Sequence, residues 1–98
     1  MAQVNWSPRA IDDVAGIAAF IAEDSESYAS AVTRQIFEKT AQLSEFPKLG
    51  RIVPEFGDED VREVFVYSYR IIYRVYENDV IIGTVIHGKR LLDLSLKP

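Results

Sequence analysis

One stretch, Val61 to Arg90, limits the possible folds more than any other. It reads V-R-E-V-F-V, Y-S, Y-R-I-I-Y-R-V-Y-E, N-D, V-I-I-G-T-V-I-H and G-K-R. β-Branched and aromatic runs separated by short polar breaks predict antiparallel strands joined by tight turns. Asn78-Asp79 is a strong turn signal, since both residues tolerate positive φ, and Tyr67-Ser68 is a weaker one. No other segment can build a sheet of this size, so any helices must pack on this one. Along the middle strand, side chains alternate between faces. Tyr69, Ile71, Tyr73 and Val75 form a core-like face. Arg70, Ile72, Arg74 and Tyr76 form an arginine-bearing face, expected to be open, that is either a functional surface or a solvated one.

The remaining sequence supplies the helices. Val4-Asn5-Trp6 reads as a short strand, and Ser7-Pro8 as a helix start, with Ser7 as cap and proline in the first turn. Asp12 and Asp13 follow where the helix dipole favours acids. Ile11, Val14, Ala15, Ala18 and Ile21 form an apolar stripe that Ile17 and Phe20 widen. Gly16 costs a helix interior up to about 1 kcal/mol relative to alanine, and close approach of another element is the expected reason. A polar break at Asp24–Ser27 leads to a second helix with Ala29, Val32, Ile36 and Leu43 on one stripe and Phe37 beside it. That helix must stop by Phe46, because Pro47 disfavours helical geometry in the residue before it. The Phe46–Arg51 loop and an irregular surface segment, Ile52–Asp60, then enter the sheet. After His87, the tail alternates at Leu92, Leu94 and Leu96.

These elements predict one α+β domain over residues 1–98: a small twisted antiparallel sheet against an N-terminal helical hairpin, in the order β-α-α-β-β-β. Helices are expected over Pro8–Glu23 and Ser27–Glu45, and strands over Val4–Trp6, Val61–Val66, Tyr69–Glu77 and Val80–His87. Trp6, Ile17, Ile21, Val32, Ile36, Leu43, Ile71, Tyr73, Val75, Ile82 and Val85 are the expected core.

Composition excludes several functions. The chain has no cysteine and one histidine, which leaves no disulfide framework and no Cys- or His-rich metal site; no cofactor is expected. No apolar run approaches the ~20 residues of a membrane span. No charged leader precedes an apolar run, so a cytoplasmic location is expected. The net charge of −4 argues against direct DNA binding.

The chain resembles the RelE/ParE toxin superfamily of bacterial type II toxin–antitoxin operons. The matching marks are W-S-P-R-A-I-D-D-V, F-P-K-L-G-R, V-R-E-V, Y-R-I-I-Y-R-V and I-H-G-K-R. Together they cover nearly the whole chain, in the family's order, and they look more like the ParE branch. The resemblance implies the sheet-and-hairpin fold and an antitoxin partner. For a ParE-like toxin the implied target is DNA gyrase, blocked by protein–protein binding. For a RelE-like one it is ribosome-bound mRNA, which is cut.

Cutting RNA requires a base, an acid and charge stabilisation at the phosphate. The RelE pattern maps two arginines onto Arg70 and Arg90 and places Arg62 near a lysine position; the second lysine falls at Val64 or beside it, and the tail tyrosine near Leu96. Arginine is a poor general base. His87 is the one side chain of a type that exchanges protons near neutral pH, and a lone strand-end histidine is more often structural. A two-residue turn at Tyr67-Ser68 would put Arg62 and Arg70 on opposite faces, and a bulge would bring them together. The chain therefore reads first as a gyrase-binding toxin rather than an enzyme. Its expected target-binding residues are Arg70, Arg74, Tyr76, Lys89, Arg90, Leu92 and Leu94, with Phe20 and Phe37 toward the antitoxin. The alternatives are a ribonuclease using Arg70, Arg90, His87 and Arg62, and a non-toxic member that only binds its antitoxin.

Overall fold

The computed structural model describes residues 1–88. Its elements are β1 (Val4–Trp6), α1 (Pro8–Ala22), α2 (Glu26–Ala41), a 3-10 turn at Gln42–Ser44, β2 (Arg51–Ile52), β3 (Val61–Val66), β4 (Tyr69–Tyr76) and β5 (Asp79–His87). The two helix starts are set by serine caps: Ser7 Oγ accepts from the Ala10 amide at 3.0 Å, and Ser25 Oγ from the Tyr28 amide at 3.1 Å. Asp12 and Asp13 lie beyond the first turn of α1. Asp13 is used in tertiary structure instead: its Oδ2 accepts from the Thr84 hydroxyl at 2.6 Å and the Val85 amide at 2.9 Å.

The sheet has five strands in the order β1-β5-β4-β3-β2. It is mixed rather than wholly antiparallel. β1 pairs parallel with β5, Val4 opposite Val80, because the helical hairpin carries the chain across the sheet before β5 is laid down. The β3–β4 turn has two residues, as the weaker turn signal implied, and Phe65 faces Arg70 across it. The second turn sits one residue earlier than read: Tyr76 pairs with Asp79, and Glu77 takes the positive φ of 48° while Asn78 completes the turn. A bulge beside Ile72/Tyr73 shifts the β4–β5 register.

One sheet face carries the helices. Ile71, Tyr73, Val75, Val80, Ile82 and Val85 join Val14, Ile21, Val32, Ile36 and Leu43 in the main core. Each such aliphatic side chain contributes about 1.5–3 kcal/mol on burial. Trp6 and Ile17, expected in the core, pack against it half-buried.

The opposite face, expected to be open, is covered. The connection from Val53 to Asp60 crosses it as a strap. Val53 is fully buried and Phe56 packs with Val61, Ile72 and Ile86 in a second small core. Main-chain bonds hold the strap: the Val53 amide donates to Val61 O at 3.0 Å, and the Val75 amide to Asp60 O at 2.8 Å. The segment read as irregular surface chain, Ile52–Asp60, thus begins on the second residue of β2 and continues as this cover. No described helix is long and apolar enough to cross a membrane.

Candidate functional site

On the strapped face, alternation and the two-residue turn bring Glu63 of β3 beside Arg70 of β4. Arg70 is 7% exposed and all three guanidinium nitrogens are engaged. Nε donates to Glu63 at 2.6 Å, and Nη1 and Nη2 donate to the two carboxylate oxygens of Glu55, in the strap, at 2.7 and 2.9 Å. The other Glu63 oxygen accepts from Arg51 Nε at 2.7 Å. Glu55, Arg70, Glu63 and Arg51 therefore form a chain of alternating charge, with Glu63 wholly buried between two arginines. Hydrogen bonds from Arg70 hold the Glu55 carboxyl below the usual carboxylate range. Glu55, more than any other neighbour, raises the Arg70 guanidinium above its already high value.

Arg74 lies further along the same face, its guanidinium 3.5 Å from Asp58 of the strap and its Cζ 5.5 Å from the Tyr76 ring centroid. Arg51 stands over Phe65 in the same way, at 5.2 Å. Arg62 is on the helix side of the sheet. Its Nε donates to Glu59 O at 2.8 Å and its Nη1 to Gly50 O at 3.0 Å. The structure thus brings Arg70, Arg74 and Tyr76 to one face and sets Arg62 on the other. His87 is exposed at the end of β5, edge-on to Tyr69 at 5.6 Å. Lys89, Arg90, Leu92 and Leu94 lie outside the described residues. The expectation of a solvent-open arginine face fails at Arg70, because its carboxylate partners come from the strap and from β3.

Phe20 and Phe37 are exposed, at 70% and 49%, and occupy different grooves on opposite flanks of α1. Phe37 meets Trp6 with ring centroids 5.2 Å apart. With Ile11, Val14, Ala15, Ala18 and Thr33 these rings line an apolar groove of about 500 Å³. Phe20 borders a groove of about 390 Å³ with Gly16, Ile17, Tyr69, Val85 and His87. Among the described residues, a methyl at Gly16 would meet nothing within 4 Å, so no described element accounts for the glycine. Gly50 is where close approach decides the residue. Its amide donates to the Tyr73 hydroxyl at 2.9 Å, and a methyl there would run into the Glu63 carbonyl.

Sequence reasoning missed Glu55 and Glu63 as partners of Arg70, and Arg51 as the second partner of Glu63. The signal for Glu63 was in hand: the turn that pairs Phe65 with Arg70 puts Glu63 on the same face, one pair further along. Nothing in sequence marked Glu55, which depends on the path of the strap. Among the described residues, no cluster of three or more His, Cys, Asp or Glu side chains is placed to hold a metal ion.

A family model described as the ParE toxin of the type II toxin–antitoxin system parDE matches residues 4–92. The chain belongs to the ParE toxin family. Among solved structures, this ParE-family fold is similar to a chain of the chromosomal ParDE toxin–antitoxin system from P. aeruginosa. The TM-score is 0.74 at 17% identity, covering 91% of this chain and 98% of that one. A search of curated proteins found no match. The ParE toxin is thus the toxin partner of a type II toxin–antitoxin pair, on the α+β fold derived above.

Proposed function

We propose that this ParE-family chain inhibits DNA gyrase by protein–protein binding in the cytoplasm, arrests growth, and is neutralised by a cognate antitoxin. The observation that carries this over RNA cutting is the state of Arg70. A phosphate held by that guanidinium would have to displace the bidentate Glu55 carboxylate and sit beside the buried Glu63 carboxylate. Two acids in that position repel an RNA backbone rather than stabilise extra negative charge on it. The face instead suits binding: Arg74 on Tyr76 and Arg51 on Phe65 present cation–aromatic pairs typical of protein contacts. The net charge of −4 fits a toxin that does not bind DNA on its own.

For the antitoxin, the Trp6–Phe37 groove offers apolar surface at the open side of the helical hairpin. A partner segment there gains roughly 25 cal/mol per Å² of apolar burial, less its ordering cost. The target assay is gyrase supercoiling with purified toxin, with and without antitoxin, run beside cleavage of ribosome-bound mRNA. Inhibition reversed by antitoxin supports the reading. Intact supercoiling with cut mRNA refutes it. For the groove, Phe37→Ala should weaken antitoxin binding at least about tenfold while leaving gyrase inhibition in place.

A further inference from the structure

The chain of alternating charge on the strapped face has two unlike ends. Its acidic end, Glu55, spends both carboxylate oxygens on Arg70. Its basic end, Arg51, spends only Nε, which donates to Glu63 at 2.7 Å. Among the described residues, no acceptor bonds Arg51 Nη1 or Nη2. The guanidinium donates from all three nitrogens in one plane, so its two Nη groups keep their donors for another chain. The Arg51 side chain is 60% exposed, while the Glu63 side chain beneath it is wholly buried. The fork is also held in place. Arg51 of β2 pairs with Glu63 of β3, which fixes Nε, and the Phe65 ring lies 5.2 Å from Cζ. A long side chain fixed in advance loses little freedom when a partner binds it.

A planar fork with two outward Nη groups matches the two oxygens of a carboxylate or a phosphate. The surroundings choose between them. Phe65, 45% exposed, sets an apolar ring against the fork. The strap places Glu55 and Asp58 on the same face, where they pair with Arg70 and Arg74. A phosphate backbone laid across this face would meet those acids and a net charge of −4. One carboxylate on a folded protein surface meets the fork and the ring without bringing a row of like charges.

We propose that Arg51 is the carboxylate-binding residue of the target surface. Its Nη1 and Nη2 take an aspartate or glutamate side chain of gyrase, which becomes the next acid after Glu55, Arg70, Glu63 and Arg51 in the alternating series. The proposal rests on the gyrase reading above. The test uses full-length wild type, Arg51→Gln, Arg51→Lys and Phe65→Ala with purified gyrase. Arg51→Gln removes the charge and should raise the concentration needed to inhibit supercoiling by about tenfold or more, with antitoxin affinity within about twofold. Added salt should weaken wild type more steeply than Arg51→Gln. Phe65→Ala keeps all four charged side chains, removes the ring beneath the fork, and should weaken inhibition by about threefold or more. Arg51→Lys supplies an amine at the same place. A water-soluble carbodiimide should join that amine to a gyrase carboxylate, identified by peptide mass spectrometry.

Inhibition by Arg51→Gln equal to wild type overturns the proposal and leaves the gyrase reading standing. Where Arg51→Gln does not fold, equal inhibition by Phe65→Ala does the same. A carbodiimide link confined to the toxin's own carboxylates, or no link, also overturns it. So does a matching loss of antitoxin affinity, which assigns Arg51 to that interface or to the fold. A gel shift of plasmid DNA by wild type without gyrase, lost in Arg51→Gln, overturns it by assigning the fork to phosphate. If wild type leaves supercoiling untouched, the gyrase reading and this proposal fall together.

Discussion

Replacing Arg70 by alanine tests whether the charged chain on the strapped face is structural. The substitution leaves Glu63 fully buried with Arg51 as its remaining ion-pair partner, and Arg51 is itself 60% exposed. It also frees Glu55, 31% exposed, from the contact that ties the strap to the sheet. Breaking a buried pair by removing one member costs about 3–5 kcal/mol when the other charge is stranded. Here Glu63 keeps Arg51, and the Glu55 half is partly screened by solvent. The expected loss is therefore about 2–3 kcal/mol, out of the roughly 5–15 kcal/mol that holds a domain folded. At roughly 4–8 °C per kcal/mol for a chain of this size, the melting temperature should fall by about 8–24 °C.

Urea and thermal unfolding measure the loss directly. Hydrogen exchange should show the Val53 and Val75 amides, which hold the strap, losing protection before the core strands. The double variant Arg70→Ala/Glu63→Ala should recover part of the loss, since it removes the stranded acid as well. A loss below about 0.5 kcal/mol, or a double variant that loses the sum of the two singles, would refute the structural role. The same result bears on toxicity: loss of gyrase inhibition in Arg70→Ala would follow from a loosened strap as readily as from a lost contact. Arg74 is the better probe of that face, at the cation–aromatic pair with Tyr76.

Gly50→Ala should destabilise by about 1–3 kcal/mol in urea unfolding, because its methyl meets the Glu63 main chain and comes within 2.9 Å of the Tyr73 hydroxyl. Gly16→Ala should stabilise by up to about 1 kcal/mol, as the added methyl meets nothing among the described residues and helix propensity rises; destabilisation would reveal a contact there. The lowered Glu55 carboxyl sets a pH dependence. Its contribution is full above the unfolded carboxylate range and is lost as pH falls through the lower folded value. Urea unfolding should therefore show stability falling on acidification below about pH 4–5, and Glu55→Gln should flatten part of that slope.

The hairpin and the three main strands were legible in the sequence because they follow from local chemistry, while the turn length and the bulge that set their register were not. Ser7-Pro8 and Ser25 start helices, Pro47 bars continuation, and alternation in Tyr69–Tyr76 sorts Tyr73 to the core and Arg70 to the other face. Even the separation of Arg62 from Arg70 reduced to the length of one turn. What the sequence left open depends on the path of chain between elements. Whether β1 pairs parallel or antiparallel is decided by how the hairpin crosses the sheet, not by Val4-Asn5-Trp6. The fate of Arg70 turns on Val53 and Phe56, two apolar residues without period in a polar stretch. Their burial lays the strap over the sheet and delivers Glu55 to the guanidinium. Alternation can say which face an arginine occupies. Whether that face meets water or a carboxylate is decided only when a segment fifteen residues earlier folds back across it.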